Sequence, residues 1–92
     1  MQKEQIETVI AQMPSEFDSH EFIERFMNMY GKEYAAQLGR HAETQTPFRT
    51  LHAQIARYLT QHAEELGILP VYRVPSANIK GNETYNQKWE KL

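Results

Sequence analysis

Ile6, Val9, Ile10 and Met13 recur at i, i+3, i+4 and i+7, with polar residues at most positions between them. That spacing predicts an amphipathic helix over about residues 2–13, stopped by Pro14. A longer stripe follows, in which Phe22, Phe26, Tyr30, Tyr34 and Leu38 repeat every fourth residue beside Ile23 and Met27. Its start carries a capping box with Asp18 in the Ser/Thr place and Glu21 at N3, and Phe17 and Phe22 are spaced as a hydrophobic staple. The stripe stays in phase through Gly31, so it predicts one helix over residues 18–40, kinked at Gly31; two shorter helices broken there are the alternative. After the polar connection "HAETQT", Thr46 suits an N-cap and Pro47 the first helical position. Phe48, Leu51, Ile55, Leu59 and Leu66 then fall within about 80° of one another on a helical wheel. Gly67, Ile68 and Pro70 supply a stop, giving a third helix over 47–66.

Beyond Gly67 the period changes. "ILPVYRV" is β-branched and aromatic, "PSANIKGN" is rich in turn formers, and "ETYNQKW" puts Tyr85 and Trp89 on one face when extended. The pattern predicts an antiparallel hairpin over roughly 70–90 with a tip at Pro75–Glu83, its Tyr85 and Trp89 closing the core. The fold class is therefore mainly α with a small C-terminal β-hairpin, in a single domain over 1–92.

Length and composition agree with that picture. Ninety-two residues, 40% hydrophobic and 24% charged, suffice for one modest core. There is no cysteine, so disulfide and thiolate chemistry are excluded. Apolar runs fall far short of the ~20 residues that span a membrane, and "MQKEQIETVIAQM" lacks a signal-peptide apolar region. A cytoplasmic location without membrane partners is expected. Charge is uneven: residues 1–46 carry four Lys/Arg and eight Asp/Glu, a net −4, whereas residues 47–92 carry six and four, a net +2. The C-terminal half is suited to an acidic partner.

Candidate chemistry is sparse. Asp18, Ser19 and His20 collect triad residue types, but neighbours at a helix start point in different directions, and capping accounts for Asp18. His20, His41, His52 and His62 show no metal-ligand spacing, and His62 within the apolar stripe reads as a hydrogen-bonded core residue. Asn82-Glu83-Thr84 matches a glycosylation sequon in a chain read as cytoplasmic, and Gly81 reads as a turn residue. No cofactor, metal, small-molecule substrate or enzymatic activity is indicated.

Three helices followed by a hairpin is the element order of winged-helix domains, a variant of the helix-turn-helix DNA binders, and the chain resembles that class in order and size. Gly31 departs from the helix-turn-helix pattern, because Gln37 and Arg40 stand where apolar residues belong. The resemblance implies a transcriptional-regulator-like module that reads duplex DNA with helix 47–66 and the hairpin tip. The outward residues of that helix, Arg49, Thr50, Arg57, Thr60 and Gln61 with Gln54 at the border, include types that pair with bases and phosphates. Lys80 at the tip and Arg73 and Lys88 on the strands would add backbone contacts. The rival reading is a protein-interaction or homodimerisation module. In it Phe22, Phe26, Tyr30 and Tyr34 exceed what the other helices can cover and form the partner surface.

Overall fold

Residues 2–78 and 80–92 are described in the computed structural model of the chain; Ile79, one residue of the predicted tip, lies outside them, as does Met1. The elements run α1 (Lys3–Gln12), β1 (Glu16–Asp18), α2 (Ser19–Met29), α3 (Gly31–Gly39), α4 (Pro47–Gln61), α5 (Ala63–Leu66), β2 (Ile68–Ala77) and β3 (Glu83–Lys91). The strands form an antiparallel sheet in the order β1-β3-β2. Among the described residues no helix is long and apolar enough to cross a membrane.

The apolar stripe of α1 is buried as predicted, through Ile6, Val9 and Ile10. At the start of α2 the capping box is reciprocal: the Glu21 N–H donates to Asp18 Oδ1 and the Asp18 N–H donates to Glu21 Oε1, each at 2.9 Å. The staple is present too, with the Phe17 and Phe22 rings 6.3 Å apart. Phe17 has a further role that its spacing did not disclose. It belongs to β1 and pairs with Trp89, so three residues between two helices tie the start of the chain to β3.

The single helix predicted over 18–40 is two helices. Tyr30, at φ −127° and ψ 51°, leaves the helical region between α2 and α3. An in-phase stripe cannot distinguish a kink from a break. Packing decides here: after the break Tyr34 faces α4, where its hydroxyl lies 2.8 Å from His52 Nε2. The helix predicted over 47–66 is likewise interrupted, at His62 (φ −112°, ψ 14°). His62 is therefore not a core residue. Its ring lies 4.3 Å from that of Tyr58, tilted by 33°, and its Nδ1 is 3.5 Å from Glu65, with about a third of the side chain in solvent. Gly67 ends α5 in the left-handed region (φ 69°), as its C′ position predicted.

One core joins three helices and the sheet: Ile6 and Val9 from α1, Phe22 and Phe26 from α2, Leu51, Ile55 and Leu59 from α4, and Phe17, Ile68 and Trp89 from the strands. Trp89 satisfies its ring N–H by donating to Ser19 Oγ at 3.1 Å. Tyr85 does not join it in closing the core and is 69% exposed. The reason is the sheet's outline. β1 flanks β3 only from Lys88 to Glu90, so at Tyr85 the strand has only β2 beside it and stands clear of the apolar interior. β2 also carries an irregularity between Pro70 and Arg73, which places one extra residue opposite β3 and bends the hairpin there.

The aromatic stripe is not surplus. Phe22 and Phe26 are fully buried, Tyr34 is 5% exposed and Tyr30 is partly covered against Phe26 at 5.6 Å. The partner surface predicted from these four side chains is therefore consumed inside the molecule.

Candidate nucleic-acid interface

On α4, Arg49, His52, Ala53 and Ala56 follow one another at i, i+3, i+4 and i+7 and line one face. The two alanines leave that face hollow. The outer half of the hairpin lies across from it, and between them runs a groove of about 680 Å³. Arg49 and Phe48 line it from α4, His20 from α2, Arg73 from β2, Thr84 and Tyr85 from β3, and Lys80 with Asn78 and Asn82 from the tip. No Asp or Glu lines it among the described residues.

The hairpin is held over α4 by a polar network at the start of α2. The His20 N–H donates to Asn86 Oδ1 at 3.1 Å, and Asn86 Nδ2 donates to the Val74 carbonyl at 3.1 Å and to Ser76 Oγ at 2.9 Å. The His20 ring sits between two hydroxyls, 2.8 Å from Ser76 Oγ at Nδ1 and 3.4 Å from Thr84 Oγ1 at Nε2. The tip has its own frame: Asn78 Oδ1 accepts the N–H groups of Lys80 and Asn82, both at 3.0 Å. Gly81 supplies a positive φ of 81°, which other residues adopt at a cost. Lys80 Nζ is then carried to 5.2 Å from the Phe48 ring centroid, a cation–π contact that joins tip to helix. Arg73 is oriented by donating from Nη2 to the Tyr85 carbonyl at 3.1 Å.

His52 is the titratable group set into the wall. Burial, with the positive fields of His20 and Lys80 adding to it, holds its imidazole below the ordinary histidine range. Burial likewise pushes its partner, the Tyr34 phenol, above its usual value.

Of the residues predicted for the interface, Arg49, Arg73 and Lys80 come together in this groove. The others do not. Arg57 is eight residues from Arg49, roughly 80° around α4, and lies on another flank with Gln54, Tyr58 and Gln61. Gln54 Oε1 is 3.2 Å from His41 Nε2, and the Thr50 hydroxyl donates to the Thr46 carbonyl at 2.9 Å. Lys88 sits opposite Asp18 at the β1 side of the hairpin, away from the tip. His20, His52, Asn86 and the exposed Tyr85 were not anticipated as interface residues. For His52 a signal existed, since Arg49, His52, Ala53 and Ala56 share one helical face whose small residues invite a groove. For His20 and Asn86, 66 residues apart, the sequence held none.

Comparison with protein-family models, with curated proteins and with solved structures returns no match for the chain.

Proposed function

We propose that the chain is a small, non-enzymatic duplex-DNA-binding module of winged-helix type. In this reading the N-terminal half of α4 faces the major groove, and the hairpin tip lies against the phosphate backbone as the wing. The sheet order β1-β3-β2, with β1 inserted between α1 and α2 and the hairpin following α4, supports the winged-helix assignment. The observation that carries the function is the cationic groove between α4 and the tip, lined by Arg49, Arg73 and Lys80 and, among the described residues, by no carboxylate. Such a concavity focuses positive potential where a polyanion would approach.

The test is fluorescence anisotropy with a labelled mixed-sequence duplex across a salt series, comparing wild type with Arg49→Ala/Arg73→Ala/Lys80→Ala and with Arg57→Ala. Three phosphate contacts imply a slope of log K against log salt of about −3. The triple variant loses most of that slope, whereas Arg57→Ala changes it little. No binding at low salt, or equal binding by all variants, refutes the reading.

A second surface supports the self-association reading. β2 is an edge strand, and Leu69, Val71 and Tyr72 on it and Leu92 after β3 are exposed. Pro70 and Pro75 lack N–H groups and blunt this edge against open-ended pairing, which favours a closed dimer through side chains. Dimerisation would place two grooves on one duplex and raise the effective affinity of a weak site.

A further inference from the structure

The groove holds more positive charge than its own contacts use. Arg49 and Arg73 contribute planar guanidinium forks and Lys80 a compact ammonium, a set suited to the oxygens of a tetrahedral phosphate. Lys80 rests on the Phe48 ring, a contact weak enough at an exposed site to be exchanged for an anion. His52 lies in the same wall, its Nε2 2.8 Å from the Tyr34 hydroxyl of α3. The other groups facing it are His20 from α2, Arg49 of its own helix, and Arg73 and Lys80 from the hairpin. None of these is acidic; the positive fields of His20 and Lys80 oppose a proton on His52, and an anion entering among them has the opposite effect.

We infer that this groove is a phosphate seat, holding one phosphate between Arg49, Arg73 and Lys80, and that filling it favours protonation of His52 by a proton taken from solvent. The inference rests on the DNA reading only in naming a duplex backbone as the source of the phosphate.

The experiment follows the His52 Cε1–H resonance against pH in the free protein, with a mixed-sequence duplex, and with inorganic phosphate. Binding at the seat raises the His52 midpoint by about one pH unit, the size expected for an opposite charge a few ångströms away. His41, off the groove beside Gln54, serves as the internal control and keeps its midpoint. In Arg73→Met/Lys80→Met, whose side chains are exposed, the rise disappears while the free protein's spectrum persists. A rise with inorganic phosphate but not with duplex upholds the seat and removes the DNA reading. Duplex binding that leaves His52 unmoved overturns the seat and leaves the DNA reading standing. An unmoved His52 in both arms overturns the seat, as does a rise that survives in the double variant.

Discussion

Asn86 is a buried polar residue whose amide is fully engaged: one acceptor bond from the His20 N–H and two donor bonds, to Val74 and Ser76. Its position on β3 makes it the joint between α2 and both strands of the hairpin. Asn86→Ala deprives the partly buried His20 N–H and Val74 carbonyl of this side-chain partner and is expected to cost about 1–2 kcal/mol, read from the urea midpoint. It should also widen the groove and weaken duplex binding more than the stability loss alone explains. His52 gives a second residue-scale expectation. Its folded-state midpoint lies below that of the unfolded chain, so the unfolded state binds the extra proton first as pH falls. The stability His52 contributes is thus present above about pH 6.5, the ordinary histidine value, and is lost as pH drops toward its lowered folded-state midpoint. His52→Gln, which can still hydrogen-bond Tyr34, should flatten the urea midpoint over that window. An unchanged pH profile would show that His52 is not held neutral in the fold.

At the scale of elements, local chemistry was legible and long-range consequences were not. The capping box at Asp18, the Thr46-Pro47 start and the Gly67 stop each depend on neighbours a few residues away, and each stands where the pattern put it. The breaks at Tyr30 and His62 depend on what α3 and α5 pack against. Nothing in a continuous 3.6-residue period reports that. β1 escaped for the same reason: three residues acquire strand character only because Trp89, 72 positions away, pairs with Phe17. The groove was half legible, since the cations of α4 and the tip were readable, but the placement of the hairpin over the Arg49 face and not the Arg57 flank is tertiary. Two glycines separate local from tertiary causes by experiment. Gly31 has no positive φ, and a Cβ there meets nothing within 4 Å. Gly31→Ala should therefore stabilise by about 0.5 kcal/mol, through a less flexible unfolded chain, and leave the break at Tyr30 intact. Gly67 sits at φ 69°, where the same substitution should cost about 1–2 kcal/mol despite equally open space. Thermal melts rank the two variants, and backbone chemical shifts locate the break. A Gly31→Ala chain helical straight through Tyr30 would mean that glycine, and not packing, divides α2 from α3.

For the whole molecule the governing quantity is how little net charge it brings to a polyanion. The total is −2, with the excess of acid in the first half of the chain. On the proposed reading, a duplex would be attracted by one groove and repelled by much of the remaining surface, which would favour one orientation and limit affinity. A single seat of three cations gives a salt slope of about −3, and a dimer placing two seats on one duplex gives about −6. The exposed Leu69 and Val71 of β2 are among the side chains available to make that dimer without using either groove. Leu69→Lys/Val71→Lys should then return the protein to monomer in sedimentation at high micromolar concentration and halve the salt slope. The midpoint shift of His52 on binding should stay the same, because the substituted residues do not line the groove. If the slope halves while sedimentation is unchanged, the substitutions act on DNA contact and the edge of β2 belongs to the binding surface. If wild type is monomeric throughout and its slope is already near −3, one copy binds alone, and the weakness of a three-cation site becomes a property of the function itself.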